Sequence, residues 1–113
     1  MIEDYTQGRI RIDGKSYDED IKIIEKKVKP HWWRREGHRL EKADIGDVFK
    51  ARPDILVVGT GYAQQMKVSE DVLSHARDNG MRVISESTPS AVKTFNRILA
   101  EGGEVAGVFH LTC

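Results

Sequence analysis

The chain has 113 residues, enough for one domain that buries roughly 65% of the surface it exposes when unfolded, and too few for two. Its 18 Lys and Arg balance 18 Asp and Glu, which excludes a global field that would steer nucleic acid or an anionic membrane. Cys113 is the single cysteine, so no internal disulfide forms; the acidic N-terminus has no apolar run behind it, no run is long enough to span a bilayer, and a cytoplasmic protein is expected.

Residues 1–50 carry 12 of the basic and 11 of the acidic residues, and their pattern predicts strands. Arg9-Ile10-Arg11-Ile12 alternates charged and apolar side chains. Asp13-Gly14 follows, a pair that tolerates positive φ and so signals a hairpin, with Lys15-Ser16-Tyr17 returning. Asp20–Val28 holds Ile21, Ile23, Ile24 and Val28, a β-branched run suited to one half-buried strand. Trp32–His38 predicts an extended piece with a turn at Gly37. Asp44–Lys50 predicts a short helix with Asp44 as its N-cap and Ile45, Val48 and Phe49 on one face.

The second half alternates strand and helix. Ile55-Leu56-Val57-Val58 is continuously apolar, as a strand covered on both faces must be. Ser69 caps a helix running to about Asn79, with Val72, Leu73 and Ala76 inward and Gly80 as the stop. Met81–Ile84 is the next strand. Thr88-Pro89 supplies an N-cap and a proline at the first helical position. Ala91, Val92, Phe95, Ile98 and Leu99 then recur at helical spacing until Gly102-Gly103. Val105–Leu111 is the last strand. This β-α-β-α-β order predicts an α/β fold over residues 1–113, a single domain whose sheet is mostly parallel and is preceded by an N-terminal β-hairpin segment.

No complete catalytic motif is present, so no reaction or cofactor is assigned. Three stretches are candidate sites. Gly59-Thr60-Gly61, with Lys67 downstream, follows a buried strand and belongs at the carboxyl edge, where open α/β sheets bind ligands. Its glycines would let a small anion approach backbone N–H groups. It is neither a dinucleotide fingerprint, since Gln64 replaces the third glycine, nor a phosphate-binding loop with Gly-Lys-Ser/Thr. A plain strand-to-loop turn is the other reading. Ser87-Thr88-Pro89-Ser90 opens a helix at the same edge, where Thr88 and Ser90 N–H groups would suit an anion, or serve capping alone. The third stretch is 26–39; counted over residues 22–39, seven basic side chains face two acidic ones.

In that third stretch, Trp32, Trp33, Arg34 and His38 are candidates for a protein-contact surface, since Trp and Arg are enriched in binding hot spots. Basic residues interleaved with aromatics also suit single-stranded nucleic acid, although the neutral whole argues against it. The alternative is a solvated basic face with the tryptophans covering the core. His31, His38, His75 and His110 show no metal-ligand spacing. His110 and Cys113 are near neighbours and could meet in thiol or metal chemistry.

Several segments, in order, resemble the adipogenesis-associated domain family. They are Trp33-Arg34 followed by His38, Ile55–Gly61, Thr88–Asn96, the Glu101-Gly102 helix exit and the ending Gly107–Cys113. That resemblance implies a three-layer α/β domain with a mixed central sheet and an added β segment. It also implies a binding, assembly or regulatory role, since relatives include a mitochondrial complex I assembly factor. It brings no catalytic residues.

Overall fold

A computed structural model describes residues 1–113. The chain opens with a three-stranded antiparallel sheet, β1 (Ile2–Thr6), β2 (Arg9–Ile12) and β3 (Lys15–Tyr17). Asp13 and Gly14 both take positive φ at the β2–β3 turn, as the hairpin signal requires. The sequence pattern does not reveal β1, because its Glu3-Asp4 centre hides a strand that pairs Ile2 with Ile12.

The main sheet has the order β5-β4-β10-β7-β9. β4 (Ile21–Ile24) and β5 (Lys27–Lys29) form a hairpin where one strand over Asp20–Val28 was expected. Glu25 and Lys26 both adopt positive φ, 52° and 64°. That is the geometry of a two-residue primed turn, made here without its usual Asn or Gly. β10 (Val105–Phe109), β7 (Ile55–Gly59) and β9 (Arg82–Glu86) run parallel, and β10 is antiparallel to β4. The sheet is therefore mixed, with β4 alone running against the other strands.

Both faces of this sheet are covered, which explains the continuous apolar runs. Val57, Val105 and Phe109 join one cluster with α3 (Thr88–Ala100), the isoleucines of β1 and β2, and Ile21 and Ile23 of β4. Leu56, Val58, Ala106 and Val108 join the other. That second cluster includes Val48 of α1 (Gly46–Ala51) and Val72 and Ala76 of α2 (Glu70–Asp78). Phe95 and Phe109 meet edge to face at 5.7 Å. Gly107 makes room for them: a Cβ there would lie 2.5 Å from the Phe109 ring and 2.9 Å from Phe95.

Three local expectations are corrected. Asp44 does not cap a helix from outside. It lies in a 3-10 turn, Lys42–Ile45, and reaches back to accept the Glu41 N–H at 2.8 Å. Ser87, not Thr88, is the N-cap of α3, so Pro89 is its second residue. Leu73 is half-exposed and belongs to neither cluster. Two short strands, β6 (Arg39–Leu40) and β8 (Lys67–Val68), pair in parallel beyond the main sheet.

Candidate functional site

β7, β9 and β10 all end at one edge of the sheet. There the chain continues into the loop 60–66, the start of α3 and the tail 110–113. Thr60 directs both its N–H and its hydroxyl to the Glu86 carbonyl, at 2.9 and 3.0 Å. Gly59 is buried at the end of β7 and accepts the His110 N–H at 3.0 Å. The buried Thr88 hydroxyl donates to the His110 carbonyl at 2.6 Å and accepts the Gly61 N–H at 2.8 Å. Thr88 therefore ties three chain segments together instead of capping its helix.

The glycine loop does not leave its amides free. Besides Gly61 on Thr88, the Tyr62 N–H donates to Thr112 and the Gln65 N–H to Cys113. Gly61 sits at φ +109°, and a Cβ would lie 2.6 Å from the Thr112 carbonyl. Only glycine lets the tail backbone lie that close. The N–H groups expected to form a cradle are thus occupied by the protein itself, that of Thr60 by the Glu86 carbonyl and that of Gly61 by the Thr88 hydroxyl. Lys67 is exposed on β8 and Ser90 is exposed on the first turn of α3; neither side chain bonds to the loop. A cleft of about 480 Å³ opens at the opposite, amino edge, lined in part by Lys26, Arg52, Leu99, Glu104 and Val105.

Beside Thr88 lies an ionic cluster in which Arg34 and His110 are buried and Asp20 is half-buried. Asp20 precedes β4, Arg34 lies on the strap 30–38, and His110 follows β10. Asp20 Oδ2 accepts from Arg34 Nη1 and from His110 Nδ1, each at 2.7 Å, while Oδ1 accepts the Leu111 N–H at 2.8 Å. Burial pushes the Asp20 carboxyl up. The hydrogen bonds from His110, Leu111 and Arg34 together outweigh that and hold it below the usual carboxylate range.

Arg34 Nη2 also lies 3.1 Å from His110 Nδ1. The two short contacts to one nitrogen cannot both be hydrogen bonds. A 2.7 Å approach to a carboxylate needs a proton on Nδ1, so the arginine donates instead to Gly37 O at 2.6 Å. Nε2 of His110 is then the open nitrogen, and it is buried without a partner, as is Arg34 Nε. The His38 ring stands edge-on to His110 at 5.7 Å. A carboxylate-oriented imidazole with Nε2 unpaired can accept a proton or a donor group.

The four residues expected at a contact surface divide. Trp32 is buried, donates Nε1–H to the Asp44 carbonyl at 3.1 Å, and stacks under the Arg34 guanidinium at 4.6 Å. Arg34 is buried in its ion pair, so neither it nor Trp32 is a surface residue. Trp33 is 81% exposed, and His38 is exposed. Sequence reasoning misses Asp20. It stands in the acidic run Asp18-Glu19-Asp20, and nothing local separates it from its neighbours. The same reasoning pairs His110 only with Cys113, which is exposed.

The fold is shared with solved structures. The conserved hypothetical protein PH1505 from Pyrococcus horikoshii OT3 is similar at a TM-score of 0.85 and 24% identity, covering 100% of this chain and 99% of that one. A Bartonella henselae protein described as an outer membrane protein is similar at 0.84 and 24%, covering 99% and 94%. In this chain no helix is long and apolar enough to cross a membrane. A Bordetella pertussis protein described as a Mth938-like domain is similar at 0.69 and 20%, covering 96% and 83%. A family model matches residues 2–110, and the chain accordingly belongs to the DUF498/DUF598 family of proteins of unknown function.

Proposed function

We propose that this protein is a non-enzymatic binding or assembly module that holds a protein partner against the carboxyl edge of its sheet, with Trp33 as the anchor. The observation that carries this reading is the 81% exposure of Trp33 between two buried neighbours. A tryptophan held in water presents a large apolar area, the composition of an interface hot spot. The strap beneath it is fixed by the Arg34–Asp20 ion pair and by the Arg35 N–H on Asp44 at 3.3 Å. Little conformational freedom is then left to lose on binding. Tyr62, 54% exposed, rises from the loop bonded to Thr112, and the exposed Arg35, His38 and Lys67 supply a polar rim. The resemblance to adipogenesis-associated domain proteins, and through them to a complex I assembly factor, supports an assembly role, which we place in the cytoplasm.

The test is native mass spectrometry of the protein purified from its own cells, wild type beside Trp33→Ala. The retained partner should be lost in the variant while its urea midpoint stays unchanged. A partner retained equally by Trp33→Ala and Tyr62→Ala would refute the reading. A second reading, a small-ligand or small-anion protein, is favoured by the unpartnered His110 Nε2. Its site would then centre on His110 and Arg34 and not on the Gly59–Gly61 amides. In a phosphate titration the side-chain signals of His110 and Arg34 would move; if they stay still, that reading fails.

A further inference from the structure

The two edges of the main sheet are protected differently. β5 is three residues long and carries the exposed Lys27 and Lys29, a common guard against strand pairing. β9 is five residues long, contains no proline, glycine or lysine, and pairs only with β7. Its outward hydrogen-bonding groups can be assigned. The Arg82 N–H donates to Asp54 and the Glu86 carbonyl accepts from Thr60, both on the β7 side. Backbone direction alternates along a strand, so Val83 and Ser85 point their N–H and C=O groups to the open side.

The sequence of this edge is complementary to itself. Arg82-Val83-Ile84-Ser85-Glu86 turned about Ile84 sets Arg82 opposite Glu86 at both ends. Val83 then faces Ser85 as a hydrogen-bonded pair on either side of the axis, using the groups that point outward. Ile84 faces its own copy as the close, non-hydrogen-bonded pair. Arg82 has no ion pair within the chain. Glu86 uses Oε1 to accept from Thr94, which leaves its other carboxylate oxygen for a partner.

The flanking helix adds apolar surface. His75 of α2 packs edge-on against Phe49 of α1 at 4.5 Å. Leu73, two residues earlier, is about 160° round the helix from His75 and so lies on the flank away from α1. α2 packs on β9, which directs that flank past the open edge. Leu73 is half-exposed and outside both clusters, and Val83 and Ile84 are themselves only half-buried.

We propose that a second copy of this chain occupies the β9 edge, pairing β9 with β9 antiparallel about a two-fold axis at Ile84 and joining two five-stranded sheets into one. The contact is isologous, so it closes as a dimer and does not propagate. Strand addition supplies the hydrogen bonds, and the Arg82–Glu86 pairs set the register.

Sedimentation equilibrium over a concentration series tests this, and a monomer–dimer equilibrium is expected. Ser85→Pro removes an outward N–H without touching the β7 ladder and should leave a folded monomer. Arg82→Glu places like charges opposite one another and should weaken the dimer roughly tenfold or more. Adding Glu86→Arg should restore it. In a Cys113→Ser background, Ile84→Cys should form an interchain disulfide, because the facing Cβ atoms are close. If Ser85→Pro fails to fold, the charge reversal and its rescue still decide. A monomer at every concentration would overturn the proposal. So would a dimer whose dissociation constant ignores both Arg82→Glu and its rescue.

Discussion

Removing the Asp20 carboxylate tests the ionic cluster directly. Asp20→Ala takes away the acceptor for Arg34 Nη1 and His110 Nδ1 at 2.7 Å and for the Leu111 N–H at 2.8 Å. The arginine stays behind with its side chain 3% exposed. Breaking a buried ion pair from one side costs about 3–5 kcal/mol, chiefly because the remaining charge has no counter-ion. Against a total stability of about 5–15 kcal/mol, this is a third or more of the whole in most cases. With a urea slope near 2 kcal/mol/M, the midpoint should fall by about 2 M.

The pH profile gives a second readout. The folded Asp20 carboxyl lies below its ordinary value of 3.8. Its contribution is therefore present above that value and is lost as pH falls through the depressed folded one. The gap between wild type and Asp20→Ala should be full at neutral pH and close in acid. Asp20→Leu with Arg34→Met should recover much of the loss, since no charge is then stranded. A loss below about 1 kcal/mol at neutral pH, or a gap that does not narrow in acid, would refute the assignment of a buried charged pair.

Phe95→Ala should cost about 3–5 kcal/mol in a urea melt, because Phe95 is fully buried against Phe109 and leaves a cavity; a loss below about 1 kcal/mol would contradict that packing. Gly61→Ala should cost about 1–3 kcal/mol through its left-handed backbone alone. It should also displace the tail, read as lost hydrogen-exchange protection at Tyr62 and Gln65, whose N–H groups bond to it; unchanged protection would mean the tail is held elsewhere. Tyr5 donates to the Leu111 carbonyl at 2.6 Å, and burial, with Asp20 nearby, raises its hydroxyl to about 12. Its contribution to stability should be complete below pH 10.0 and lost as pH rises toward about 12, a loss that Tyr5→Phe should abolish.

Strand and helix identity was legible wherever a local pattern was strong enough to act alone. The apolar run Ile55–Val58 required a strand covered on both faces. Gly80 after the periodic α2, and Gly102-Gly103 after α3, required helix ends. The Asp13-Gly14 pair required a turn. Each depends on backbone sterics or side-chain period within about ten residues, so no distant contact was needed. The β-branched run 20–28 misled for the same reason. Its residues suit a strand throughout, and only pairing of Ile23 with Val28 forces Glu25 and Lys26 into a turn that their side chains do not announce.

The site was decided by contacts that local pattern cannot carry. Asp20 meets His110 across 90 positions, and Thr88 joins Gly61 and His110 across 27 and 22. The glycine loop and the Thr88 helix start were visible as separate segments at one sheet edge, while His110 and Leu111 were read as part of the last strand, which ends at Phe109. That they consume one another's hydrogen bonds follows from the tail turning back over Gly61. Trp32, Trp33 and Arg34 are consecutive in sequence and differ in environment because the strap alternates its side chains in and out. Local sequence pattern determined the alternating strands and helices of the second half and the Asp13-Gly14 turn; the closing of the sheets determined β1, the break between β4 and β5, and which polar groups are buried, because a charge is held inside only where distant segments supply its partners.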